Sequence, residues 1–138
     1  MKLPPDPARD PAPTPGRELV GLGVAAIDTP ALVVDLDAME RNLTRMAEFA
    51  KKHDMRWRPH AKLHKSAALA RLQIQAGAVG VCVQKTAEAE LLAAGGVRNL
   101  YISNEVIAPA KLERVAALAQ MLRGAGGRLA IAVDSLQG

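Results

Sequence analysis

The sequence predicts an α/β fold with a parallel sheet, because short runs rich in β-branched residues alternate with longer amphipathic ones, and glycines close several of the longer runs. Only 2% of the residues are aromatic while 49% are hydrophobic, so the core must be built from Ala, Val, Leu and Ile. That composition suits helices packed closely on strands better than it suits a β-sandwich. The 138 residues are enough for one domain, which at this size buries roughly two thirds of the surface of its unfolded chain.

The elements follow in order. Pro4, Pro5, Pro7, Pro11, Pro13 and Pro15 exclude a helix at the start, so residues 1–26 are expected to be a mobile, polyproline-like lead-in and residues 27–138 the folded domain. A first strand is expected over Ala31 to Asp35. Asp37 is placed to cap a helix reaching about His53, with Met39, Leu43, Met46 and Ala50 on one side and Arg41, Arg45 and Glu48 facing water. A second strand over Met55 to Lys62 precedes a helix near Ser66 to Gln75, which Gly77 is placed to stop. Val79 to Gln84 reads as a third strand, Thr86 to Ala94 as a helix ending at Gly95 and Gly96, and Asn99 to Asn104 as a fourth strand. Pro109 opens a further helix to about Arg123, Gly124 to Gly127 end it, and Arg128 to Asp134 make a fifth strand.

Five strands joined by four crossover helices fit the opening portion of a (β/α)₈ barrel, which takes about 250 residues to close. Later strands and any further domain are therefore expected outside these 138 residues. An open doubly wound sheet is the competing architecture. No GxGxxG follows the first strand and the turn after Asp35 holds no glycine, which disfavours a dinucleotide site.

Composition removes several function classes. The net charge is +4 and the pI about 9.6, but the basic residues are scattered and lack interleaved aromatics for base stacking, which argues against nucleic-acid binding. No apolar run reaches the ~20 residues of a membrane span. Cys82 is the only cysteine, so no internal disulfide and no cysteine-built metal site can form, and a reducing compartment, the cytoplasm, is expected. In mid-strand it reads as a buried, inert thiol.

Active sites of parallel barrels lie at the carboxyl ends of the strands, and here every expected strand ends polar. The first closes on Asp35, the second on His60 and Lys62, the third on Gln84, the fourth on Asn104 and Glu105, and the fifth on Asp134 and Ser135. Strand ends meet solvent in any α/β protein, so no single position among these is decisive. Arg58, His60 and Lys62 share one strand face by their spacing, and a lysine in a partly dry pocket beside other positive groups becomes a nucleophile able to condense with an aldehyde. A lone lysine just past a strand is otherwise an ordinary surface residue. His60 and His64 stand four apart, but the strand end between them interrupts helical spacing, so they are not read as a metal pair.

Four segments taken together resemble a known family: Asp28-Thr29-Pro30-Ala31-Leu32-Val33-Val34-Asp35-Leu36-Asp37, Arg58-Pro59-His60-Ala61-Lys62-Leu63-His64-Lys65, Gly80-Val81-Cys82-Val83-Gln84-Lys85 and Ile102-Ser103-Asn104-Glu105-Val106. They resemble the D-threonine aldolases and their relatives, the 3-hydroxy-D-aspartate aldolases and D-serine dehydratases, which share the alanine-racemase-like barrel of pyridoxal 5'-phosphate (PLP) fold type III. The similarity extends over about Ile27 to Ser135. It implies that Lys62, and not its neighbour Lys65, carries PLP as the catalytic lysine, with His60, Gln84 and Asn104 as further cofactor-binding residues. It implies cleavage of a D-β-hydroxy amino acid, D-threonine or 3-hydroxy-D-aspartate, to glycine and an aldehyde, assisted by a divalent metal (Mn or Mg) whose ligands lie outside this chain. A homodimer is implied by the same precedent. A D-serine dehydratase-type lyase and a non-catalytic PLP carrier on a similar barrel are the other readings.

Overall fold

The structure, a computed structural model, describes residues 16–136. The proline-crowded residues 1–15 lie outside the described residues. The chain divides into two compact units, Met1–Asp35 and Leu36–Gly138. In the first, two short 3-10 turns, Arg17–Leu19 and Val24–Ala26, fall within the stretch expected to be a mobile lead-in. No strand forms over Ala31 to Asp35, and Leu32 and Val33 are exposed. The expected first strand is therefore corrected. Its β-branched composition suits a ladder, but a strand exists only where backbone donors and acceptors meet a partner.

Among the described residues the second unit holds four helices and three strands: α1 (Leu36–Lys52), α2 (Ala67–Gln75), β1 (Val81–Val83), α3 (Thr86–Ala94), β2 (Asn99–Glu105), α4 (Pro109–Gly124) and β3 (Arg128–Ala132). The strands are all parallel, in the order β1-β2-β3. Val81 aligns with Leu100 and Val83 with Ile102, while Asn99 aligns with Arg128 and Ile102 with Ile131. The β2–β3 register then shifts, so that the next aligned pair is Glu105 and Ala132. Ser103 and Asn104 occupy that bulge.

Local chemistry explains the boundaries. Ser66 caps α2, its hydroxyl accepting from Leu69 N at 3.4 Å, and Gly77 follows the helix at φ +103°. Pro109 stands in the first turn of α4, where its missing N–H costs nothing. α1 begins at Leu36, so Asp37 lies in its first turn, where a carboxylate complements the helix dipole. α3 starts and ends where the sequence predicts.

The core lies between sheet and helices. Val81, Val83, Leu100 and Ile102 from the strands meet Leu92 and Ala89 from α3 and Val115, Leu118 and Leu122 from α4, all buried. No aromatic side chain belongs to this cluster, as the composition requires. Buried Leu100 and Ile102 alternate along β2 with half-buried Tyr101 and Ser103, which places Ser103 on the face turned away from the helices. Among the described residues, no helix is long and apolar enough to cross a membrane.

The second expected strand, Met55 to Lys62, is also corrected. Only His60 bridges Cys82 of β1, and residues 61–64 form a turn. The segment still runs beside β1: Val79 N donates to Trp57 O at 3.1 Å, Cys82 N to Pro59 O at 2.8 Å and Ala61 N to Cys82 O at 2.7 Å. Pro59 contributes no donor, which thins the ladder to a single bridge.

Candidate functional site

The carboxyl ends of the parallel strands bring His60, Ser103 and the turn carrying Lys62 together. His60 Nε2 lies 3.3 Å from Ser103 Oγ, and Ser103 Oγ donates to Val83 O at 3.2 Å. On the other side of the ring, the backbone N–H of Lys62 donates to His60 Nδ1 at 3.2 Å. His60 is half-buried, and burial, reinforced by the nearby Lys62 charge and opposed by Glu88, holds its pKa below the ordinary imidazole value. It is a neutral ring at neutral pH.

Lys62 itself is exposed, lies in the turn and not on a strand, and Arg58 does not join it. Arg58 turns to the opposite end of the sheet, where its Nη1 donates to Asn99 O at 3.2 Å and approaches Val81 O at 3.5 Å. The expected cluster of Arg58, His60 and Lys62 in a dry pocket is thus reduced to His60 and Lys62, because the carbonyls at the foot of the strands claim the guanidinium. Arg71 and Arg98 are spent likewise, donating to Gly95 O and Ala125 O at the ends of α3 and α4. Much of the basic excess therefore serves the backbone.

One lysine lies in the turn and another just after it, and the structure separates them. Lys65 Nζ lies 3.6 Å from Glu88 Oε1, while Glu88 Oε2 accepts from Gln84 N at 3.0 Å and Lys85 N at 3.2 Å. Among the described residues, Lys62 Nζ enters no ion pair. The Lys65 amine is paired with Glu88, whereas that of Lys62 is not. His64 Nδ1 accepts from Ser66 N at 3.0 Å. The Nδ1 atoms of His60 and His64 are thus both engaged by backbone N–H groups.

Gln84 and Asn104 form a separate pair. Both line an open groove of about 440 Å³ at the carboxyl ends of β1 and β2, together with Lys85, Thr86 and Lys111. His60 and Lys62 are not among its lining residues. The four sequence-predicted site residues therefore fall into two neighbouring sets along one edge of the sheet. Sequence reasoning missed Ser103 and Glu88. Glu88 accepts from the backbone N–H groups of Gln84 and Lys85 at the start of α3, but a lysine at the N-cap position is not the Ser or Thr signature of a capping box, and a single serine at a strand end gives no composition signal.

Residues 34–135 match the alanine racemase N-terminal domain. The chain belongs to that family. It is 44% identical over 120 residues to a 3-hydroxy-D-aspartate aldolase of Paracoccus denitrificans, covering 86% of this chain and 30% of that protein. A D-threonine aldolase of Arthrobacter sp. is 45% identical over 112 residues, covering 81% of this chain and 28% of the relative. Among solved structures, the D-threonine aldolase of Filomicrobium marinum superposes with a TM-score of 0.74 at 50% identity, covering 81% of this chain and 29% of that one. The D-threo-3-hydroxyaspartate dehydratase of Delftia sp. HT23 follows at a TM-score of 0.67 and 39% identity, over 80% and 28%. The chain thus spans about 30% of the length of the curated aldolase relatives it matches.

Proposed function

We infer that this chain carries the cofactor lysine of a PLP-dependent lyase, and that the lyase cleaves D-β-hydroxy amino acids such as D-threonine or 3-hydroxy-D-aspartate to glycine and an aldehyde. The observation that carries the reading is the contrast at the turn: Lys65 is paired with Glu88, while the exposed Lys62 amine is in no ion pair among the described residues and lies beside a neutral histidine at the carboxyl rim of a parallel sheet. That donor set fits an aldehyde cofactor tethered to a lysine. Lys62 Nζ is the group that would hold PLP, with His60 beside it and Gln84 and Asn104 contributing polar contacts from the neighbouring strand ends. When bound, PLP supplies an electron sink for breaking the Cα–Cβ bond. His60 would hold the backbone beneath the tethering lysine and keep a neutral N–H directed into the strand-end rim.

The family and the parallel βα order favour a (β/α)₈ barrel as the complete architecture, with residues 27–138 supplying its opening strands and helices. The divalent metal (Mn or Mg), a homodimeric assembly and a cytoplasmic setting belong to the same proposal, with the metal ligands assigned outside this chain. Aldolase ranks above dehydratase because the Filomicrobium aldolase is similar at 50% identity and the Delftia dehydratase at 39%. Products separate the two chemistries, an aldehyde with glycine against a keto acid with ammonia.

The test is borohydride reduction of the protein in the presence of PLP, followed by peptide mapping. Label on Lys62, lost in Lys62→Ala and kept in Lys65→Ala, is the expected result. Label on Lys65, or none, overturns the reading.

A further inference from the structure

Between His60 and the sheet lies a chain of three hydrogen bonds whose proton positions are fixed by counting donors. Lys62 N–H can only donate, so His60 Nδ1, 3.2 Å away, must accept. In a neutral imidazole the proton then sits on Nε2, and Nε2 must donate. Its partner at 3.3 Å, Ser103 Oγ, therefore accepts. The Ser103 hydroxyl has one proton, and that proton is directed to Val83 O at 3.2 Å, an oxygen that can only accept. Every link agrees with its neighbours.

We propose that Ser103 is a positioning residue for Lys62: by giving its proton to the Val83 carbonyl it offers His60 Nε2 only a lone pair, which sets the Nε2–H tautomer and leaves Nδ1 to hold the Lys62 backbone amide. The role of Lys62 in this statement rests on the function proposed above, while the tautomer does not. The opposite tautomer would face the Nδ1 proton towards the Lys62 N–H. It would also turn the serine proton away from Val83. Two contacts would be lost together, so the unfavoured ring form is expected at less than about a tenth of the population.

Strand alternation sets the face of Ser103, and the β2–β3 register shifts at the same place. The β2–β3 register holds to Ile102 and Ile131 and resumes at Glu105 and Ala132, so Ser103 and Asn104 are freed from regular pairing with β3. Bulges commonly re-aim a side chain beside a site. Here Ser103 meets the ring of His60, whose backbone is bridged to Cys82 of β1. One hydroxyl thereby joins β1, β2 and the turn of residues 61–64.

The experiment is nitrogen-15 NMR of the protein labelled on its histidines and recorded across pH without cofactor, then repeated on Ser103→Ala and Ser103→Thr. The sequence has only three histidines, and exposed His53 supplies a reference for a ring averaging between tautomers. In the unmodified protein, His60 is expected to show an unprotonated-type Nδ1 and a protonated-type Nε2, without averaging, at pH values above its titration. Ser103→Ala should move both resonances towards the averaged pattern and raise hydrogen exchange at the Lys62 amide roughly tenfold. Ser103→Thr, which keeps the hydroxyl, should restore both. A protonated Nδ1 or an averaged ring in the unmodified protein overturns the proposal even if Ser103→Ala fails to fold, as does an unchanged pattern in a folded Ser103→Ala. Should the tautomer behave as expected while borohydride fails to label Lys62, the assignment of Ser103 stands and the cofactor reading falls.

Discussion

Glu88 grips both sides of the Lys62 turn's neighbourhood, with Oε1 at 3.6 Å from the Lys65 ammonium and Oε2 on the backbone N–H groups of Gln84 and Lys85. A buried carboxylate is tolerated only when its charge is answered, and here it is answered by two amides and a cation. Burial pushes the Glu88 carboxyl up, but the Gln84 and Lys85 donors and the Lys65 charge outweigh it and leave the pKa below the ordinary carboxylate value. A depressed folded pKa stabilises the native state above the unfolded carboxyl pKa of about 4.3, and that stabilisation is lost as pH falls through the folded value. Glu88→Gln should therefore cost about 1–3 kcal/mol in urea unfolding at neutral pH. The deficit should shrink as the pH is taken below 4. An equal deficit at all pH values would show that the charge is not what Glu88 contributes.

The two neutral histidines give a second acid dependence. Burial lowers the pKa of His60 and of His64 from 6.5, and each Nδ1 accepts a backbone N–H that a protonated ring would oppose. The unfolded chain therefore takes up protons near pH 6.5 before the folded one does, so stability is complete above that value and falls as pH drops through the folded pKa values. Two charges act on His60: Lys62 lowers its pKa further and Glu88 raises it. Urea midpoints between pH 7 and pH 5 should fall, and the fall should be shallower in His64→Asn. A flat profile over that range would contradict the neutral assignment.

The elements that were legible in the sequence are those whose cause is local. Thr86 to Ala94 and Pro109 to about Arg123 were recoverable because a first-turn proline in the one and glycines at the ends of both are written within a few residues of the boundary. The expected strands at Ala31 to Asp35 and Met55 to Lys62 failed because pairing depends on a partner chain segment, and Pro59 removes a donor where one was needed. At the candidate site, His60 and Lys62 were legible from a short motif, and the structure keeps them in contact. Arg58 was misplaced because strand periodicity gives the face and not the reach of a long side chain, which here runs to the Asn99 carbonyl. The role of Ser103 depends on His60 and Val83, 43 and 20 residues away in the chain, which no single segment encodes.

The mixed layer of sheet and helices predicts where the fold is least forgiving. Ile102 is fully buried, lies immediately before the bulge and packs among Val83, Leu92 and Leu118 in one core cluster. Ile102→Val removes one methyl group and should cost about 0.5–1.5 kcal/mol, whereas Ile102→Ala should cost about 2–5 kcal/mol. Chemical denaturation measures both. A cost for the alanine variant below that of the valine variant would mean that the site collapses freely, contrary to a close-packed core.

Gly80 supplies the most specific backbone test. Its φ of +150° is a conformation that side-chain-bearing residues rarely adopt, and an added Cβ would run into the Arg58 guanidinium, the Asn99 carbonyl and the Asn99 Cβ. The glycine is thus what lets Arg58 pass beneath β1 to reach the Asn99 and Val81 carbonyls. Gly80→Ala should destabilise by roughly 1–3 kcal/mol, through strain and through displacement of the arginine. The two contributions can be separated in the Arg58→Ala background. There the guanidinium clash is gone but the Asn99 backbone remains, so Gly80→Ala should still be destabilising, by less than in the parent protein. Full additivity of the two substitutions would show that the glycine and the arginine are energetically independent, and that the space left by the missing Cβ is not what admits the guanidinium.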